Sequence, residues 1–220
     1  MKLGIRILLL GLITFLLNGC ATNRNIPLQE SFWQNPKQKI TVAAYKPSKP
    51  DIFIEGDQGL LDMAITGIAN KDLSNALKNT DVKWYQEMPE TFAKRLNQGK
   101  MVATVYQQPL DNNRKKHPNV LAETNGDLLL TLELRAIGAK RRYAAGFIPS
   151  GGPEARCVLV GELVDPRDKK KVLWHHETEI LQKVEGKWDE PPGFTNFNNA
   201  LQLAITDARQ EMLDSLFSGR

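Results

Sequence analysis

The spacing of hydrophobic positions changes several times along the chain, and each change marks a predicted element. Between residues 39 and 106, short β-branched runs alternate with stretches in which apolar residues recur every three or four positions. The first pattern predicts strands and the second predicts amphipathic helices. Strands are predicted at Ile40–Tyr45, Asp51–Glu55, Asp81–Tyr85 and Met101–Tyr106. One helix is predicted to start near Gly59, and a second runs from Pro89 to Gly99, with proline in its first turn and glycine after its last.

Strict alternation of apolar and polar residues gives the strongest strand signals, and these lie in the second half of the chain. A strand predicted over Asp127–Ile137 places on one face Leu128, Leu130, Leu132, Leu134 and Ala136. Two further strands, Cys157–Asp165 and Val172–Ile180, are joined by a turn of Pro, Arg, Asp and Lys residues. This composition predicts an antiparallel hairpin. A glycine-rich segment, Gly146–Pro153, is predicted to be a loop.

A final amphipathic helix is predicted from about Asn196, with the preceding Asn and Thr residues fitting an N-cap. Helices alternate with strands first and antiparallel strands follow, so the predicted fold class is α/β. It is a mixed sheet with helices packed on it, a three-stranded antiparallel block near the C-terminus and a C-terminal helix. The predicted core contains Leu130, Leu132, Leu134, Leu163, Trp174, Ile65, Ala204 and Ile205.

The first twenty residues have the pattern of a secretion signal. Basic Lys2 and Arg6 precede an apolar run over Ile7–Leu17, and small residues follow it. The run is too short for a comfortable membrane span. Leu17-Asn18-Gly19-Cys20 resembles the lipobox of bacterial lipoproteins, in which the cysteine thiol is acylated and the chain is cleaved before it.

This resemblance implies a lipid anchor at Cys20 and divides the chain into three parts. Residues 1–19 are a signal peptide, residues 20–38 a lipidated tether and residues 39–220 a single α/β domain. Because each buried methylene contributes about 0.8 kcal/mol, several acyl chains hold a protein firmly in a bilayer. Ala21 replaces the aspartate that resembles an inner-membrane retention signal, which favours the periplasmic face of the outer membrane. Phe32 and Trp33 are expected to dock the tether onto the domain or the lipid interface.

Composition and charge change this interpretation little. The chain has 220 residues, of which 41% are hydrophobic and 25% are charged, so disorder, collagen and a polytopic membrane protein are excluded. The signal peptide carries two basic residues and no acidic one, so its removal lowers the formal net charge from +4 to +2. Acylation of Cys20 leaves Cys157 as the one free thiol, and its place in an apolar strand predicts a buried, unreactive residue.

The strand motifs carry a second resemblance. Asp127-Leu128-Leu129-Leu130, together with the later hairpin that ends in Val172-Leu173-Trp174, is similar to a group of envelope lipoproteins. The group includes the curli secretion lipoprotein, the lipoprotein activators of penicillin-binding proteins and a Neisserial surface lipoprotein. Its members share an α/β fold like that of the amino-terminal domain of the Tol β-propeller protein. The resemblance implies the same fold over about residues 39 to 217.

No convergent catalytic, cofactor or metal set is predicted, so the chain is expected not to be an enzyme. His175-His176-Glu177 clusters metal-type ligands, but neighbouring strand residues point to opposite faces, and these three are expected to be ordinary solvent-facing residues. There is no Gly-x-Ser-x-Gly elbow and no phosphate-loop lysine. The alternative is an envelope hydrolase or metal-binding enzyme whose site forms only in three dimensions, with His176, Asp165 or Glu162 as first suspects.

Basic clusters and an aromatic loop are the candidate binding surfaces. The residues predicted to form these surfaces are Arg114, Lys115, Lys116, Lys140, Arg141, Arg142, Trp188 and Phe194. A third basic run occupies Lys169–Lys171, and all three runs are alternatively ordinary solvated turns. In the periplasm nucleic acid is not a partner. The expected partners are the bilayer, through acylated Cys20, and an envelope protein or a second copy of the chain. The predicted function is a non-catalytic binding or assembly module of the cell envelope.

Overall fold

The computed structural model describes residues 25–35, 37–47, 49–55, 70–78, 80, 84–111, 127–144, 148–168, 171–190 and 194–220. Its helices are α1 (Glu30–Trp33), α2 (Lys71–Lys78), α3 (Trp84–Gln98) and α4 (Thr195–Phe217). Its strands are β1 (Lys39–Ala44), β2 (Asp51–Glu55), β3 (Val102–Val105), β4 (Leu128–Ala144), β5 (Ile148–Pro149), β6 (Glu154–Val164) and β7 (Val172–Lys183).

The described strands form one mixed sheet around the long strand β4. The main path runs β3-β1-β4-β6-β7, while β2 and the short β5 also pair with β4. Strands β1 and β2 both run parallel to β4, one beside each half of it. Strands β4, β6 and β7 are antiparallel neighbours. The predicted α/β class, the antiparallel block and the C-terminal helix are therefore confirmed.

A β-bulge in β4 changes which side chains face the core. Leu134 pairs with Leu159 and Ala136 pairs with Val158, so one extra residue is inserted between them. Because side chains alternate along a strand, the insertion exchanges the two faces beyond it. Ile137 is consequently buried and Ala136 is only half-buried. The prediction that Ala136 continues the leucine face is wrong for this reason.

Helix α3 begins earlier than its sequence predicts. It includes Trp84 and Tyr85, which the sequence predicts to lie in a strand, and Pro89 lies in its interior. The buried residues Met88, Phe92 and Leu96 recur every four positions and pack this helix beside β1 and β3. Proline removes one backbone donor, and the burial of this apolar stripe outweighs that loss. The predicted end at Gly99 is confirmed, because α3 ends at Gln98 and Gly99 lies in the following turn.

Helix α4 covers β6 and β7 with a stripe of buried residues. Its N-cap is Phe194 in the left-handed conformation, with no side-chain cap. The predicted Asn or Thr cap is therefore wrong, and the Asn196 side chain instead donates a hydrogen bond to the Lys187 carbonyl at 2.9 Å. In the part of the chain that the structure describes, no helix has the length and apolar character to cross a membrane.

The predicted core residues are buried, apart from Ile65, which lies outside the described residues. Those found buried are Leu130, Leu132, Leu134, Leu163, Trp174, Ala204 and Ile205. Trp174 is the largest of them, and its indole nitrogen lies 3.3 Å from the Ser215 hydroxyl of α4. Its ring lies directly over Gly161 of the neighbouring strand.

We expect Gly161→Ala to lower the free energy of unfolding by about 1–3 kcal/mol, since overpacking a tight core forces side chains from their minima. An added Cβ would lie 2.5 Å from two ring carbons of Trp174 and 2.9 Å from the Met212 sulfur. Chemical denaturation measures the change. The matched control is Gly152→Ala, whose Cβ would meet nothing closer than 4.0 Å. Equal effects at the two glycines would contradict the packing argument.

Candidate functional site

The segment that follows the candidate lipidation site is attached to the edge of the sheet. The Ile26 N–H donates to the His175 carbonyl at 2.7 Å, and the His175 N–H donates back at 3.0 Å. The Asn25 side-chain oxygen accepts a hydrogen bond from the Glu177 N–H at 3.0 Å. The segment therefore extends the sheet beyond β7. Cys20 itself lies outside the described residues.

Aromatic packing holds the same segment against the C-terminal helix. Leu28 and Phe32 are buried in the main core, and the Trp33 ring stacks on Phe217 with ring centroids 5.0 Å apart. Gly219 permits this close approach, since a Cβ there would lie 2.7 Å from the Leu28 carbonyl oxygen. Phe32 and Trp33 thus dock on the domain, and most of the predicted tether is part of the folded structure.

The basic residues 140–142 do not form one surface patch. Lys140 and Arg142 both reach the Glu55 carboxylate, at 3.2 Å and 3.0 Å. The hydrogen bond and charge of Lys140, with the charge of Arg142, lower the pKa of the Glu55 carboxyl below its ordinary value. Arg142 also lies 3.7 Å from Glu154. These charges pair with one another across neighbouring strands.

Arg141 points to the opposite face and is buried. Only 7% of it is exposed, and its guanidinium lies 5.2 Å from the centre of the Trp188 ring. In the described parts of the chain, Nε and Nη1 of Arg141 have no hydrogen-bond acceptor. The structure therefore brings together two candidate site residues, Arg141 and Trp188.

The other candidate residues do not join them among the described residues. Phe194 packs on the core near the start of α4, and Arg114, Lys115 and Lys116 lie outside the described residues.

The cation–π contact does not compensate for the unpaired donors of Arg141. A guanidinium on an aromatic face contributes about 0.5–2 kcal/mol, whereas each buried unsatisfied donor costs about 1–3 kcal/mol. We therefore expect Arg141→Met to leave the free energy of unfolding unchanged or to raise it by about 1 kcal/mol, as measured by chemical denaturation.

Arg142→Met is the matched control, because Arg142 is exposed and its substitution should change stability by less than about 0.5 kcal/mol. A loss of more than about 2 kcal/mol at Arg141 alone would contradict this account, since it would require an acceptor for the guanidinium.

The histidine pair occupies both faces of β7 and is more buried than its sequence predicts. The His175 ring lies 3.6 Å from the Glu162 carboxylate, and the side chain is only 15% exposed. His176 is 13% exposed, stacks on Trp174 and has its Nε2 atom 3.5 Å from the Glu211 carboxylate of α4. The prediction that they are solvent-facing is wrong, because the docked N-terminal segment and α4 cover them.

The residues first suspected of catalysis do not meet. Glu162 and His176 lie on opposite faces of the sheet, and Asp165 is bound by Arg167 within its own turn. Glu177 pairs with Arg135 at 2.8 Å. Among the described residues, no three His, Cys, Asp or Glu side chains are placed to hold a metal ion.

Cys157 lies in the core on the face of β6 that α4 covers. Burial raises the pKa of its thiol from 9.0 to about 12. Between these two pH values the unfolded chain loses the thiol proton and the folded chain keeps it. The contribution of Cys157 to stability is therefore present below pH 9 and is lost as the pH rises through this window.

The thiol reactivity of Cys157 should follow unfolding. We expect the native chain, acylated at Cys20, to resist iodoacetamide at pH 8 and to react stoichiometrically in denaturant, since only the thiolate is nucleophilic. Mass spectrometry of the alkylated chain measures this. Rapid alkylation under native conditions would contradict the burial of Cys157.

Comparisons with known proteins give matches in structure only. No protein-family model and no curated protein matches the chain. A Xanthomonas campestris protein of the DUF330 family is similar with 13% identity and a TM-score of 0.45, over 90% of this chain and 94% of its own. A hypothetical protein of Chlamydia trachomatis is similar with 12% identity and a TM-score of 0.41, and the match covers 83% of this chain and 99% of that protein. A Neisseria meningitidis lipoprotein is similar with 16% identity and a TM-score of 0.28, and the match covers 81% of this chain and 99% of that protein.

Proposed function

We propose that the chain is a lipoprotein anchored through Cys20 to the periplasmic face of the outer membrane, where its domain serves as a non-catalytic binding or assembly module of the cell envelope. The lipobox resemblance at Leu17–Cys20 supports the anchor. The observation that carries the proposal is the attachment of Asn25 and Ile26 to β7, directly after the candidate lipidation site.

This attachment would limit the distance between the domain and the proposed anchor. Five residue steps separate Cys20 from Asn25, and fully extended chain covers at most about 3.6 Å per residue, so the first docked residue lies within roughly 18 Å of the acylated cysteine. A domain on such a short connection stays beside the lipid headgroups. It is suited to partners that are themselves in or on the membrane, whether an envelope protein or a second copy of the chain.

Loss of the acylated thiol tests the anchor. We expect Cys20→Ser to abolish palmitate labelling and to move the protein out of the membrane fraction, while near-ultraviolet circular dichroism stays unchanged because the core lies elsewhere. The matched control is Cys157→Ala, which removes the other cysteine and should keep full labelling. Membrane retention of an unlabelled Cys20→Ser protein would contradict the anchor.

Crosslinking in cells tests the binding role in the same pair of variants. A binding or assembly module should give discrete crosslinked species with Cys157→Ala and lose them with Cys20→Ser, because the domain no longer stays beside its partner. Identical crosslinked species in both variants would contradict a role that depends on the membrane.

A further inference from the structure

A cavity of about 600 Å³ lies between the docked N-terminal segment and one end of the sheet. Ile26, Leu28 and Phe32 of that segment form one side of it. The opposite side comes from the residues around the start of β4, the end of β6 and the start of β7. Its volume is within the range of small-molecule sites in proteins.

Basic side chains dominate the charge of this cavity. Its charged lining residues are Lys37, Lys39, Arg167, Lys171, Asp127 and Asp165. Two of the six neutralise each other, because Arg167 holds the Asp165 carboxylate through both Nε and Nη2, at 2.8 Å and 2.7 Å. This pair keeps the pKa of Asp165 below its ordinary value, so the carboxylate stays charged and occupied. The remaining charged residues of the lining are three exposed lysines, Lys37, Lys39 and Lys171, and one carboxylate, Asp127.

We propose that this cavity binds the phosphate of an anionic phospholipid headgroup in the membrane that anchors the chain. The inference rests on the proposed anchor at Cys20. Ile26, which lines the cavity, lies six residue steps from that cysteine and therefore within roughly 22 Å of it. Lysines near an anionic bilayer surface are attracted to its headgroups.

Three features favour a headgroup over an acidic protein partner. The excess of lysine is set in a cavity of small-molecule size, whereas an acidic protein surface would be matched by a broad patch. Lys37 and Lys39 lie at the start of β1 and Lys171 lies in the β6–β7 turn, and the fold brings these distant residues to one cavity beside the N-terminal segment that leads to the proposed anchor. The anchor also keeps the local headgroup concentration high, which compensates for weak affinity at a single site.

Headgroup crosslinking tests this proposal in the complete lipidated protein. The protein is reconstituted into phosphatidylcholine vesicles that contain phosphatidylglycerol with a photoactivatable headgroup. Crosslinked peptides are identified after chymotryptic digestion, which lysine substitutions do not alter. We expect crosslinks to residues 26–39 and 165–173. In the Lys39→Glu/Lys171→Glu variant the yield of these crosslinks should fall by roughly tenfold or more, because each basic residue near the surface raises the affinity for anionic lipid about fivefold.

The matched control is Lys94→Glu/Lys187→Glu, which reverses two exposed lysines that do not line the cavity and should keep the crosslinks. Equal losses in both double variants would overturn the site, because the attraction would then be a general effect of charge. Unchanged crosslinks in the cavity variant would also overturn it. Palmitate labelling of each protein separates these results from failure of the anchor, which would remove the label itself.

Discussion

The rest of the structure depends on how strand β4 accommodates two parallel neighbours along one edge. Its first half pairs with β1 and its second half with β2, and the bulge between Leu134 and Ala136 lies between them. Gly138 follows the bulge with a positive φ of 147°, and a Cβ at this position would collide with the Asp51 backbone. Only glycine therefore lets β2 approach β4, so the bulge and the glycine together fix the second half of the sheet.

The same bulge explains how far the sequence predicts the fold. Alternating leucines identify β4 and its core face as far as Leu134, and the hairpin of β6 and β7 follows from two apolar runs with a polar turn. A bulge has no comparable signal, since one extra residue leaves the local composition unchanged. The apolar period therefore does not predict the faces of β4 after Leu134, and Arg141 is assigned to a surface although it is buried beside Trp188.

Long-range packing accounts for the other differences between sequence and structure. The pattern near residue 84 has no strong period, and the helix there follows from the burial of Met88, Phe92 and Leu96 beside the sheet. Residues 25–35 have no period either, and their place is fixed by partners far along the chain, such as His175 and Phe217. The aromatic pair Phe32-Trp33 is the sequence signal for this docking, because aromatic side chains bury a large apolar area when they pack.

Pairing of charges, more than their clustering in sequence, decides where the basic residues of this domain can act. Lys140 and Arg142 are adjacent to Arg141 in sequence, yet they pair with Glu55 and Glu154, and these two carboxylates balance their two positive charges. Lys171 lies more than a hundred residues along the chain from Lys37 and Lys39, and the sheet end brings the three lysines to one cavity that Asp127 also lines. The proposed anchor at Cys20 would keep this cavity near the membrane, because only six residue steps separate Cys20 from Ile26. The docked segment would thereby couple the position of the anchor to the surface that meets the lipid.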